Sequence, residues 1–148
     1  MKIPFMDFSR MHNPIQMELE EAVLGVMARG DFILGKKVEE FEQNFAKYCG
    51  VEYAAGTSTG TDALELILRA LKIGEGDEVI TAPNSFIATA SAISSAGATP
   101  IFADVYYETA NINSDEIEKH ITPRTKAIMP VHLYGQPVNI EEILRIAN

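Results

Sequence analysis

The segment from Gly56 to Thr61 (GTSTGT) is built from small and hydroxyl-bearing residues and stands directly before a predicted helix. The first N–H groups of a helix have no partners within it, and the helix dipole makes that end positive, so an anion is favoured there. Thr59 and Thr61 add hydroxyl donors, and Gly60 lets the backbone approach a phosphate closely. Neither the Gly-Lys-Ser/Thr of a Walker loop nor the dinucleotide fingerprint is present. The segment predicts a phosphate site, with a plain capped strand-to-helix turn as the alternative.

Four further candidates follow other predicted strands. Phe86 could stack on a flat cofactor, and a core phenylalanine is the alternative. His132 could bond a ligand or transfer a proton, although a hydrogen-bonded structural histidine is favoured over that role. Tyr134 and Gln136 could face a substrate or be ordinary loop residues. No metal site is predicted, because the three histidines are far apart and the single cysteine has no cysteine partner.

The elements that must position these residues alternate between strand and helix. Helices are predicted at about 13–29, 36–49, 62–72, 85–96, 114–120 and from 139 onward, and strands at 51–55, 78–82, 99–105 and 126–131. Such alternation predicts crossover units and a parallel sheet, and continuous apolar strands are typical of a sheet covered on both faces. Ligands bind at the carboxyl ends of such strands, which is where the candidate residues fall.

The composition excludes several classes of protein. The net charge is −9 and the basic residues are scattered, so a nucleic-acid partner is not expected. The single cysteine, Cys49, permits no intrachain disulfide and fits a reducing, cytoplasmic setting. No signal peptide and no membrane-spanning run is recognised. An amphipathic helix is still running at Asn148, which predicts that the chain is cut from a longer protein.

Several short motifs occur in the order found in one enzyme family. They are Phe32–Gly35 with Phe41 and Glu42, Thr59–Leu64 (TGTDAL), Gly74–Thr81 (GEGDEVIT), Ser85–Ala90 (SFIATA), Ile121–Ile128 (ITPRTKAI) and Pro130–Pro137 (PVHLYGQP). Together they resemble the DegT/DnrJ/EryC1/StrS sugar aminotransferases over nearly the whole chain. Thr59 stands where serine is usual in that family, a change that keeps the hydroxyl.

The resemblance implies a fold and a cofactor. The fold would be part of the large domain of a fold type I aminotransferase: a three-layer α/β/α arrangement, mostly parallel, with helices on both faces of the sheet. Residues 1–50 would form an N-terminal helical segment, and residues 51–148 an incomplete domain that binds pyridoxal 5′-phosphate (PLP). The resemblance assigns Thr59, Gly60 and Thr61 to the cofactor phosphate and Phe86 to stacking on the pyridine ring.

The resemblance also implies an activity. An amino group would pass, with glutamate as the donor, to a nucleotide-linked keto sugar in a homodimeric enzyme. The family's Schiff-base lysine and the aspartate that pairs with the pyridine nitrogen match no residue here, so this chain alone is expected to be inactive. Two alternatives remain: a non-catalytic or regulatory truncated homologue that binds PLP or phosphate, and a PLP-dependent sugar dehydratase relative in which histidine replaces the Schiff-base lysine.

Overall fold

The computed structural model describes residues 3–148, which divide into two compact units. The N-terminal unit ends at Gly56, and the C-terminal unit spans Thr57–Asn148. The helices of the N-terminal unit are α1 (Ser9–His12), α2 (Gln16–Arg29) and α3 (Lys36–Cys49), with a 3-10 turn at Asn13–Ile15 between α1 and α2.

The start of the first helical region differs from its prediction. Helical structure begins at Ser9 instead of Asn13, because the Asp7 carboxylate accepts the Ser9 N–H at 2.9 Å. Asn13 has helical dihedral angles (φ −53°, ψ −41°) and itself lies in the 3-10 turn, so the cap predicted at Asn13 is not formed. The predicted end is confirmed, since Gly30 closes α2 with a φ of 73°, a left-handed conformation that suits glycine.

Helix α3 has the predicted bounds and a continuous apolar face. The rings of Phe41 and Phe45 stack along that face with their centroids 5.6 Å apart. Ala46 is the only buried hydrophobic residue among the described residues of the N-terminal unit. The unit therefore buries little apolar surface of its own.

The strand predicted at 51–55 is not formed. The N–H of Val51 bonds to the carbonyl of Ala46 at 3.0 Å, and the N–H of Gly56 bonds to the Glu42 carboxylate at 2.6 Å. A strand requires a neighbouring strand to take up its backbone groups, and no strand pairs with 51–55 among residues 3–148. Apolar character alone therefore gave the wrong prediction at this segment.

The C-terminal unit is an α/β layer structure. Its helices are α4 (Gly60–Ala70), α5 (Ala88–Ser95), α6 (Ser114–Lys119) and α7 (Ile140–Ala147), with a 3-10 turn at Leu133–Gly135. Its strands are β1 (Glu78–Thr81), β2 (Thr99–Phe102) and β3 (Thr125–Met129). They form a parallel sheet in the order β2-β1-β3. The three strands and four helices occur where they were predicted, although the strands are shorter.

The central strand β1 contributes to both cores of this unit, and all four of its residues are buried. Val79 belongs to one apolar cluster, with Leu68 of α4 and Ile93 of α5. The next residue, Ile80, belongs to the opposite cluster. That second cluster also contains Ile117 of α6 and Ile143 of α7. The prediction of a parallel sheet with helices on both faces is therefore confirmed. No helix among residues 3–148 has the length and apolarity needed to span a bilayer.

Candidate functional site

The N-terminus of α4 is fixed by Thr59. The Thr59 Oγ1 accepts the Asp62 N–H at 3.0 Å, and the Thr59 carbonyl accepts the Ala63 N–H at 3.0 Å. The Thr57 hydroxyl donates to the same carbonyl at 3.0 Å. Because this cap lies at Thr59, the helix begins at Gly60, two residues before its predicted start at Asp62.

Two backbone donors remain free at this helix end. Within the part of the chain that the structure describes, the N–H groups of Gly60 and Thr61 have no hydrogen-bond partner. A Cβ placed on Gly60 would meet no heavy atom within 4 Å. The open space beside two unpaired N–H groups, at the positive end of an 11-residue helix, is suited to an anion.

The segment at this helix end carries one ionisable side chain, and it is acidic. Residues 57–62 include no lysine or arginine, and Asp62 is their one ionisable side chain. The Ser58 hydroxyl hydrogen-bonds to the Asp62 carboxylate. An anion bound here would therefore depend on backbone N–H groups and hydroxyls for its partners among these residues.

Helices α4 and α5 lie side by side and run in the same direction. Near their C-terminal ends, Arg69 of α4 donates to the carbonyl of Ser95 in α5 at 2.7 Å. Helix α4 leads through a turn into the start of β1, and the end of β1 leads into α5. The N-termini of both helices therefore lie at the carboxyl edge of the sheet, which brings Gly60 and Phe86 to the same edge. Phe86 is 77% exposed, so it is not a core residue of the described chain.

The loop after β3 carries the two candidate substrate residues to that edge as well. Tyr134 is 89% exposed and has a φ of 55°, in the left-handed region that non-glycine residues rarely adopt. Gln136 is also exposed. Since β1 and β3 are parallel, all the predicted site residues lie at one edge of the sheet.

His132 has a structural contact in this loop. Its Nδ1 accepts the N–H of Val138 at 3.1 Å, which closes the loop across six residues. An accepting Nδ1 requires the proton of the neutral ring to be on Nε2. The structural alternative for His132 is therefore the one that this geometry supports.

Two asparagines were missed by the sequence analysis. Asn111, which is 5% exposed, bonds through its side chain to the loop after β3. Asn84 donates to the carbonyl of Ala110 at 2.9 Å. These partners are 22 to 26 residues away along the chain, so no local pattern indicates them. The available signal was weak: both residues follow predicted strands.

The chain belongs to the DegT/DnrJ/EryC1/StrS aminotransferase family, whose model matches residues 13–148. It is 48% identical over 145 residues to the dTDP-3-amino-3,6-dideoxy-alpha-D-galactopyranose transaminase of Aneurinibacillus thermoaerophilus. That match covers 98% of this chain and 40% of the relative. The chain thus spans about two fifths of the length of this relative.

Solved structures give the same result. The chain superposes on DesV of S. venezuelae, determined in complex with a ketimine intermediate, with a TM-score of 0.93 at 39% identity. It superposes on NtdA of Bacillus subtilis, with bound cofactor PMP, with a TM-score of 0.92 at 40% identity. Both matches cover 99% of this chain, and they cover 39% and 34% of the two neighbours. The fold is that of the fold type I aminotransferases.

Proposed function

We propose that this chain provides the cofactor-phosphate anchor and the ring-stacking loop of a PLP-dependent nucleotide-sugar aminotransferase. The observation that carries the proposal is the pair of unpartnered N–H groups of Gly60 and Thr61, beside open space and at the same sheet edge as the exposed ring of Phe86. Residues 51–148 then form the part of the PLP-binding large domain present in this chain.

The residues of the anchor suit a phosphate group by their chemistry. The N–H groups of Gly60 and Thr61 and the hydroxyl of Thr61 donate to phosphate oxygens. The Thr59 oxygen already accepts the Asp62 N–H, which leaves its own O–H free to donate. Phe86 provides an exposed aromatic face for a flat ring. Bound PLP supplies an electron sink for the amino-transfer chemistry.

Membership of the family supports a proposal for the substrates and assembly of the enzyme. We propose glutamate as the amino donor, a nucleotide-linked keto sugar as the acceptor and a homodimer as the working form. Tyr134 and Gln136 are proposed to contact substrate, since both are exposed at the proposed site's edge. Cys49 is the single cysteine and is exposed, which supports a reducing, cytoplasmic setting.

Phosphate anchoring is tested by titration with pyridoxamine 5′-phosphate, which has no aldehyde and so cannot react with surface lysines. We expect the 148-residue chain to bind it, inorganic phosphate to compete, and pyridoxamine without phosphate to bind at least about tenfold more weakly. Thr61→Val should lower the affinity about tenfold by removing one hydroxyl donor to a charged group. Equal binding of the two pyridoxamines would contradict the proposal.

Thr99→Val is the matched control for Thr61→Val. Thr99 is exposed and begins β2, so it lies at the amino edge of the sheet, opposite the proposed anchor. This variant should bind pyridoxamine 5′-phosphate with the affinity of the unmodified chain. If Thr99→Val loses as much affinity as Thr61→Val, then the loss in Thr61→Val is due to general destabilisation and not to the missing hydroxyl.

Turnover is a separate matter. None of the seven lysines matches the family's Schiff-base motif, so we propose that this chain binds the cofactor without catalysing transamination. Incubating it with PLP, glutamate and a nucleotide-linked keto sugar should produce no 2-oxoglutarate above the rate of PLP alone. Measurable enzymatic transamination would contradict the proposed lack of catalysis. It would not contradict the proposed phosphate anchor.

A further inference from the structure

We propose that Asn84 and Asn111 are positioning residues that fix the Phe86 loop and the Tyr134 loop to one shared turn, Thr109–Asn111. We call this turn the brace. The Phe86 loop is residues 82–87, and the Tyr134 loop is residues 132–138. The mechanical part of the proposal rests on contacts within the C-terminal unit, and its effect on ligand binding rests on the proposed function.

Asn111 fixes the shape of the Tyr134 loop. Its Nδ2 donates to the carbonyl of Gln136 at 3.0 Å and to that of Pro137 at 3.2 Å. Its Oδ1 accepts the N–H of Leu133 at 3.3 Å. A neutral amide has an NH2 group that donates and a carbonyl oxygen that accepts, and here both groups are directed at this loop. The contacts lie on both sides of Tyr134, whose left-handed backbone needs support from its surroundings.

The backbone of Asn111 is itself held within the brace. Its N–H donates to the Thr109 hydroxyl at 3.3 Å, and its carbonyl accepts the Tyr106 N–H at 2.9 Å. The flanking residues Val105 and Ile112 form an antiparallel bridge. The backbone of Asn111 is therefore held by its own turn, independently of the Tyr134 loop that its side chain contacts.

The second contact of the brace reaches the Phe86 loop. The Nδ2 of Asn84 donates to the carbonyl of Ala110 at 2.9 Å. Ala110 has a φ of 57°, and its N–H donates to the carbonyl of Tyr106 at 2.8 Å. Ala110 and Asn111 are consecutive, so a shift of one changes the position of the other. The loop that carries the proposed ring-stacking residue and the loop that carries the proposed substrate residues thus share one support.

Amide hydrogen exchange tests this coupling without any ligand. Asn84→Ala removes a contact in the Phe86 loop, yet it should raise the exchange rate of the Leu133 N–H in the Tyr134 loop about fivefold or more, through the brace. Asn111→Asp keeps the side-chain volume but points a carboxylate at two carbonyls, and it should raise exchange at both Leu133 and the Thr89 N–H, which bonds to Phe86. If each variant affects only its own loop, the shared support is refuted.

Thr125→Val is the control, because the Thr125 hydroxyl is partly buried and accepts the Thr122 N–H at 2.9 Å at the start of β3, without bonding to the brace or to either loop. It should leave the exchange at Leu133 and Thr89 unchanged. An effect as large as that of Asn84→Ala would show a general loosening of the unit and would overturn the positioning role.

Measurements of ligand affinity distinguish a failure of this inference from a failure of the proposed function. Both Asn84→Ala and Asn111→Asp should lower the affinity for pyridoxamine 5′-phosphate about fivefold and leave that for inorganic phosphate unchanged, since the anchor at Gly60 is a separate element. If the unmodified chain binds neither molecule, the proposed function fails, while the exchange results still decide the mechanical part. If it binds both and the variants lose equal affinity for each, the positioning role for the ring fails alone.

Discussion

Thr59 performs two tasks with one hydroxyl group. Its oxygen accepts the Asp62 N–H and so decides that α4 begins at Gly60. The two donors that this arrangement leaves free, on Gly60 and Thr61, are then the first N–H groups of the helix. Helix capping and the proposed anion site are therefore consequences of the same side chain.

Replacing Thr59 tests the capping role. Thr59→Val keeps the shape but removes the acceptor, and we expect the free energy of unfolding to fall by about 1 kcal/mol. Thr59→Ser keeps the acceptor and should change stability by less than about 0.5 kcal/mol. Urea denaturation of both variants gives the values, and equal losses would contradict a cap at this position.

Replacing Gly60 separates the anchor from helix stability. Because a Cβ at Gly60 meets nothing in this chain, Gly60→Ala should leave stability unchanged or raise it by up to about 1 kcal/mol. The same methyl enters the space beside the free N–H groups, so affinity for inorganic phosphate should fall about tenfold. Thermal unfolding and phosphate titration measure the two effects.

Gly25→Ala is the matched control, since Gly25 lies within helix α2 of the other unit. It should give a comparable gain in helix stability with no change in phosphate affinity. A loss of affinity in both variants would rule out a local effect at Gly60.

Residues with local signals could be predicted, and residues with distant partners could not. The local sequence indicated a threonine cap in this turn, but it placed the helix start at Asp62, and the structure places the cap at Thr59 and the start at Gly60. The role of Asn111 depends on bonds to residues 133, 136 and 137, which are brought near only by the sheet.

At the scale of elements, a run of apolar residues predicts a strand correctly only when neighbouring strands exist. β1 pairs with a strand on each side, and all four of its residues are buried. The run at 51–55 is also partly apolar, but its neighbouring backbone bonds to the end of α3 and to Glu42. Whether each segment forms a strand is therefore decided by the presence of neighbouring strands and not by the composition of the segment.

Helix α4 allows a direct test of which face supports the sheet. Leu68 is 1% exposed and packs in the cluster with Val79, whereas Leu66 of the same helix is 54% exposed. Leu68→Ala should lower the free energy of unfolding by about 2–5 kcal/mol, and Leu66→Ala by less than about 1 kcal/mol. Chemical denaturation of the two variants measures the contrast. Equal losses would contradict the assignment of the Leu68 face of α4 to the core.

At the scale of the whole chain, apolar surface and strand edges are the dominant features. Large side chains are exposed on α2 and α3, including Met27 at 61% and Phe41 at 60%. Among residues 3–148, β2 and β3 each have a strand on one side only. Exposed apolar patches and open strand edges both favour association.

We therefore expect the 148-residue chain to associate as its concentration rises. Light scattering coupled to size-exclusion chromatography should give a mass above 16.3 kDa at high concentration. Its urea transition should shift with concentration, because association stabilises the folded state. A monomer with a concentration-independent, cooperative transition would contradict this prediction.

The two edges of the sheet differ in one respect, and the difference bears on how large such an association can grow. The N–H groups of Thr99 and Ala103 bond to the β1 side, so the alternate residue Pro100 faces the outer edge of β2, where it has no N–H to donate. β3 contains no proline. Among residues 3–148, β3 is therefore the sheet edge whose outward-facing N–H groups are not interrupted by proline, and joining through β3 alone gives a closed, two-fold pair. Pro100 thus limits the addition of further strands at β2, and we expect Pro100→Ala to allow extended polymers to form.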